Sequence, residues 1–213
     1  MFNELKYLPN FFLEDQFYSK IVAGIDEAGR GPWAGPVVAA AVVLNKDNLP
    51  IGINDSKKLS IKKRDELFNN IQNLAQIGIG IASVEEIDTL NILQATMLAM
   101  QRAVDNLPAM PDVALIDGNK SPILPCYTET IIQGDSKCLS IAAASIIAKV
   151  TRDRIMEELA KEYNMYGWER NAGYGTKDHI KGLEEYGVSK YHRKSYAPIK
   201  KIIMEKEKCQ VSI

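Results

Sequence analysis

Short apolar, β-branched runs stand at Ile21 to Ile25, Pro36 to Leu44, Ile77 to Ala82, Val113 to Ile116 and Thr128 to Ile132, each bounded by Gly, Pro, Asn or Asp. Runs of this length, closed by turn-forming residues, predict about five strands. Helical periods fill the spaces between them. Ile61 to Ala75 places Leu67, Phe68, Ile71 and Leu74 on one face behind Ser60 as N-cap, and about Glu85 to Asn106 strings Ile87, Leu90, Met97, Gln101 and Val104 along successive turns. From Ser140, IAAASIIAKVTRDRIMEELAKEY reads as a long helix whose small first turns permit close packing on a sheet, and a short helix over about Lys177 to Tyr186 ends at Gly187. The order is two tightly joined strands, helix, strand, helix, two strands and a helical C-terminal third. This is an α/β pattern.

Composition narrows the setting. With 213 residues, 46% hydrophobic and 25% charged, the chain fits one globular domain. It lacks an apolar run of membrane-spanning length and a basic-then-apolar leader, so neither a membrane span nor a signal peptide is expected. Cys126, Cys138 and Cys209 are odd in number and lack CxxC spacing. Free thiols in a reducing cytoplasm follow, and neither a disulfide framework nor a structural zinc site. The net charge of −1 gives no global pull toward polyanions, but Lys190, Arg193, Lys194, Lys200 and Lys201 cluster around His192 without an acid among them. Such a stretch suits either a phosphate backbone or a solvated helix face.

The sharpest chemistry lies where strands meet carboxylates. GIDEAGRGPWAG runs a strand into Asp26 and Glu27 and then into a glycine-rich turn; VALIDGN ends a strand at Asp117; QGDSK places Asp135 just after the last strand. Singly, each acid also fits a turn or a helix cap. Jointly, three strand ends of one sheet converge their acids, as a hard divalent cation requires, since Mg²⁺ prefers carboxylate and water oxygen. No His or Cys ligand accompanies them, which disfavours zinc. Two such ions about 3.5–4 Å apart activate water and stabilise the leaving oxygen of a phosphodiester, making phosphoryl hydrolysis the natural reaction. Gly29, Gly31 and Ala34 formally match a dinucleotide-binding GxGxxA, but the next strand begins too soon for a crossover helix and Pro32 interrupts the turn.

Taken in order, GIDEAGRGPWAGPVVAAAVVL, DSKKLS, LIDGN, GDSKCLSIAAASIIAKVTRD, NAGYGTKDH and HRKSYAPI resemble the type 2 ribonuclease H family from about Ile21 to Ile199. The resemblance implies a ribonuclease H-like fold, a five-stranded mixed sheet flanked by helices with a helical C-terminal extension. One domain over 1–213 is expected, with a core over about 20–163 and a substrate-binding region over about 164–213. The implied catalytic and metal-binding quartet is Asp26, Glu27, Asp117 and Asp135, holding Mg²⁺ or Mn²⁺ as two ions.

The implied substrates are RNA–DNA hybrids and duplex DNA with embedded ribonucleotides, cut on the 5′ side to leave a 3′-hydroxyl and a 5′-phosphate, as in ribonucleotide excision repair. Gly29, Arg30 and Gly31 would set backbone groups against the 2′-hydroxyl, which glycines allow by close approach. Tyr174 would stack on the neighbouring deoxyribose, with Lys57, Lys58, Arg193 and Ser195 as phosphate contacts or scaffolding. Asp153 lies deep in its helix beside Arg152, Arg154 and Lys149 and is left off the metal set. His179 and His192 are read as solvent-facing or capping, or as proton shuttles near the site. A monomer without a known protein partner is expected. Two other readings compete: the type 3 family, whose extra N-terminal domain the roughly twenty residues before the first strand do not accommodate, and a non-catalytic nucleic-acid-binding module.

Overall fold

The five apolar runs form strands of a single sheet. The computed structural model describes residues 8–211, with side chains as far as 207; the chain ends and the Cys209 side chain lie outside the described residues. The strands are β1 (Val22–Ala28), β2 (Val37–Leu44), β3 (Ala75–Ala82), β4 (Val113–Asp117) and β5 (Tyr127–Ile131), in the order β3-β2-β1-β4-β5. β1 runs antiparallel to β2, and β4 lies parallel to both β1 and β5. The helices are α1 (Ile61–Leu74), α2 (Val84–Leu90), α3 (Ile92–Asp105), α4 (Leu139–Glu162), α5 (Trp168–Asn171), α6 (Lys177–Tyr186) and α7 (Ala197–Val211). Among the described residues no helix is long and apolar enough to cross a membrane.

Two compact units divide the chain. The first takes the chain up to Ala28, Val38–Ile81 and Thr96–Val150; the second takes Gly29–Val37, Ala82–Ala95 and the chain from Thr151. In the first, Leu67, Phe68 and Ile71 of α1 and the alanine-rich start of α4 pack with Ala40 and Val42 into a dry layer. Small residues bring α4 very near the sheet. A Cβ at Gly24 would stand 2.1 Å from the Ser140 carbonyl carbon, so helix backbone lies directly on strand backbone there. In the second unit Ala34, Met156, Tyr166, Trp168, Leu183 and Ile199 form the core, with Tyr166 and Trp168 stacked at 4.9 Å.

Several boundaries depart from the sequence reading by one residue, and three depart by more. The single helix expected over about Glu85 to Asn106 is two, because Asn91 takes φ 70° and its side chain accepts the Leu93 and Gln94 amides at 3.0 and 3.2 Å, capping α3. The strand after α1 starts at Ala75 and not at Ile77. β1 extends past Ile25 through Asp26 and Glu27 to Ala28, so these acids belong to the strand and not to the turn after it.

Candidate active site

Strand register draws the acids together. β1 and β4 pair with Ile25 opposite Ile116, so Asp26 and Asp117 are the next residues along two parallel strands about 4.8 Å apart. At the end of β5 the chain passes through Gln133 in the left-handed conformation into a 3-10 turn carrying Asp135, and the Gly134 amide donates to Asp117 Oδ1 at 2.7 Å. Asp26 is 5% exposed and Asp135 7%. Burial, reinforced by the charges of Glu27, Asp117 and Asp135, raises the Asp26 carboxyl well above the ordinary range, although the Glu27 amide lowers it. Asp135 is raised as well, first by burial and then by Asp55 and Asp117, with Lys57 opposing.

A cleft of about 670 Å³ opens beside them, lined by Asp55, Lys57, Asp117, Gln133, Asp135 and Lys137 among others. Of the predicted quartet Asp117 and Asp135 line this cleft, and Asp26 and Glu27 do not. Lys57 Nζ stands 3.5 Å from Asp135 Oδ2. Burial lowers the Lys57 ammonium, but Asp135, Asp26 and Asp55 outweigh it and hold it above its usual value. The Asp55 side chain accepts from the Lys57 amide at 2.9 Å, and Ser56 Oγ meets Ser145 Oγ of α4 at 2.7 Å in the interior, fixing this turn. Among the described residues no three His, Cys, Asp or Glu side chains close around one metal position. Three aspartates line the cleft beside three lysines, and their carboxylate oxygens nevertheless fit a hard cation, because Mg²⁺ keeps several waters and takes only one or two carboxylates.

A second constellation is built within the other unit. Gly29 has φ +98°, and a Cβ there would lie 2.0 Å from Arg152 Nε; a Cβ at Gly31 would reach the Tyr174 ring at 3.3 Å. Gly31 and Tyr174 are therefore neighbours, both exposed. Arg193, read from sequence among the phosphate contacts or scaffolding, is fully buried. Its guanidinium donates to the carbonyls of Gly29, Arg30, Gly35 and Pro36 and to the Tyr196 hydroxyl. Arg152, 1% exposed, donates to the carbonyls of Ala34, Pro36 and Ala172. Two arginines thus hold the Gly29–Pro36 segment from inside. Arg30 itself is exposed, and Ser195 caps onto Asp88 through its amide at 2.9 Å and its hydroxyl at 2.6 Å.

A family model described as ribonuclease HII matches residues 23–199, a span that holds both constellations. The chain belongs to the ribonuclease HII family. Ribonuclease HII of Magnetococcus marinus is 57% identical over 187 residues, 86% of this chain and 88% of that relative. The crystal structure of ribonuclease H2 from Pyrococcus horikoshii matches with a TM-score of 0.74 at 28% identity, covering 88% of this chain and 99% of that one. A ribonuclease HII from Archaeoglobus fulgidus, solved in a complex with PCNA, matches with a TM-score of 0.66 at 28% identity over 81% of this chain and 93% of that one. As a ribonuclease HII, the chain is a divalent-metal-dependent endoribonuclease acting on RNA–DNA hybrids.

Sequence reasoning missed several residues of this ribonuclease HII. Asp55, Gln133 and Lys137 line the cleft, and each stands in a block that the sequence singles out for other residues, Asp55 in DSKKLS and Gln133 and Lys137 in QGDSK. Arg152 reads in the sequence as a helix partner of Asp153, and in the fold it is buried against backbone carbonyls. His179 and His192 correct a stated expectation: both are fully buried, not solvent-facing, because their rings pair with each other inside the aromatic core.

Proposed function

We propose that Asp26, Glu27, Asp117 and Asp135 hold two divalent cations, Mg²⁺ or Mn²⁺, for hydrolysis of a phosphodiester on the 5′ side of a ribonucleotide. The carrying observation is Asp26: a buried carboxyl crowded by three other carboxylates, whose charge a cation would stabilise. When bound, such ions supply Lewis acidity toward the phosphodiester and lower the pKa of water. Lys57 neutralises part of the cleft beside Asp135 and is the side chain placed to meet a phosphate oxygen. Products are a 3′-hydroxyl and a 5′-phosphate.

Recognition of the ribose is assigned to Gly29, Arg30, Gly31 and Tyr174. The exposed Gly31 leaves backbone open to the 2′-hydroxyl, the group that separates RNA from DNA, and the adjacent exposed Tyr174 ring offers a stacking face for a sugar. Arg193 serves by fixing the carbonyls of this turn, and Ser195 by tethering its own segment to Asp88. On this reading duplex DNA with a single embedded ribonucleotide is also a substrate, the enzyme acts as a monomer in the cytoplasm, and the region over about 164–213 helps bind nucleic acid.

The test is cleavage of end-labelled duplexes that are all-DNA, singly ribonucleotide-substituted or RNA–DNA hybrid, with Mg²⁺, Mn²⁺ or chelator. A metal-dependent nick 5′ of the ribonucleotide with all-DNA intact is expected. Asp26→Asn should reduce turnover by about 10³-fold or more, the scale of several kcal/mol of lost charge stabilisation, while its melting temperature stays at or above wild type because a repelling buried charge is gone. Normal turnover in Asp26→Asn would refute the assignment.

A further inference from the structure

The polar groups around two buried histidines admit one arrangement of protons. His179 Nδ1 lies 2.9 Å from the Tyr174 carbonyl oxygen, which can only accept, so Nδ1 carries the proton. In the neutral ring Nε2 is then bare, and it receives the Trp168 indole N–H at 3.2 Å and His192 Nε2 at 2.9 Å. His192 must therefore carry its proton on Nε2, leaving Nδ1 to accept the Ser189 amide at 2.9 Å, as that geometry requires. The independent constraints agree. A second proton on either ring would face a donor: the Ser189 amide at His192, or the indole N–H and the His192 N–H at His179.

The chain has a direction and an end. It starts on the Ser189 turn, crosses both rings and terminates on the Tyr174 carbonyl, whose side chain stands beside Gly31. The backbone of His192 bridges Ala34, and the next residue, Arg193, donates its amide to the Trp33 carbonyl at 2.8 Å. Trp33 in turn donates its own amide to the Gly173 carbonyl at 2.8 Å. One short segment is thereby tied to both partners of the recognition surface. We propose that His179 and His192 are positioning residues for substrate recognition, a neutral, directed hydrogen-bond chain that sets Tyr174 against the Gly31 turn.

The inference rests on the assignment of Tyr174 as a substrate contact. Burial supports it by keeping both rings uncharged: it lowers His179, and together with the penalty for two positive charges side by side it lowers His192 to about 3.

Two substitutions at one position separate positioning from packing. His179→Asn keeps a donor near the place of Nδ1 and so the bond to Tyr174, whereas His179→Gln keeps a group near Nε2 and loses that bond. With folding checked by melting curves, His179→Gln should raise KM for a singly ribonucleotide-substituted duplex about tenfold, the worth of one net hydrogen bond, at little change in kcat. His179→Asn should restore most of it. In a Tyr174→Ala background His179→Gln should add nothing further. Equal effects of Asn and Gln, or multiplicative effects with Tyr174→Ala, would overturn the positioning role while leaving the Tyr174 assignment intact. A Tyr174→Ala enzyme with unchanged KM would instead remove the assignment itself. Nitrogen-15 NMR of the wild-type protein at neutral pH supplies a reading free of variants: protons on His179 Nδ1 and His192 Nε2 are expected, and the opposite tautomer of either ring would overturn the chain.

Discussion

At the scale of single residues, the buried arginines carry the most unusual burden. Arg152 and Arg193 both donate to backbone carbonyls of the Gly29–Pro36 segment, which satisfy the buried guanidinium groups. Arginine suits this because its planar fork presents five donors at once, where lysine has a single ammonium. Arg193→Lys should therefore leave several buried carbonyls without a partner, at about 1–3 kcal/mol each. A loss of at least about 3 kcal/mol in urea unfolding is expected. A change below about 1 kcal/mol would mean that water replaces the lost bonds. The sequence showed Arg193 as a basic residue in a basic stretch, and a charge reads as surface unless paired. Burial here depends on which carbonyls across more than 150 residues of chain lack partners, which no local pattern displays. The same holds for His179 and His192, whereas the acids were visible because each interrupts an apolar run.

At the scale of elements, the turn after β1 separates two requirements within three residues. Gly29 needs its left-handed backbone and has the Arg152 side chain where a Cβ would go; Gly31 has the tip of an exposed tyrosine ring near it. Gly29→Ala should therefore cost stability, by several kcal/mol from strain and displacement of Arg152. Gly31→Ala should melt within a few degrees of wild type yet raise KM for the ribonucleotide duplex about tenfold, since the added methyl occupies the approach to the sugar. Melting curves and KM for both variants check this, and a Gly31→Ala enzyme with wild-type KM would remove Gly31 from the recognition surface. Strands and the main helices were legible because apolar period and capping residues agree. The break at Asn91 was not, because the apolar positions on either side stay in phase and neither Gly nor Pro marks it.

At the scale of the whole molecule, buried histidines link folding to proton uptake. An unfolded histidine binds its proton near pH 6.5, but His192 in the native protein resists until about 3. Over that window the unfolded chain holds the extra proton, so stability present above about pH 6.5 is lost as the pH falls, by about 1.4 kcal/mol per unit. His179 acts in the same direction. Asp26 and Asp135 oppose it, since raised carboxyls bind protons in the native state before the unfolded chain does. Comparing wild type with His192→Gln cancels the acids. Between pH 6.5 and 5 the wild type should lose about 2 kcal/mol relative to the variant in denaturant titrations, and parallel profiles would mean that His192 charges freely in the folded protein.

The absent side chain at Gly24 has a consequence for heat. Gly24 stands two residues before Asp26 on the same face of β1, with the backbone of Ser140 and Ile141 pressed onto it. Amides at such a junction exchange with solvent only through opening of the whole surrounding unit. Deuterium should therefore enter the start of α4 and the middle of β1 among the last of all positions. The carboxylate cluster then has no private route to melting, and cleavage on warming should fail in one step with the fold that carries it, leaving no temperature range of intact but inactive protein.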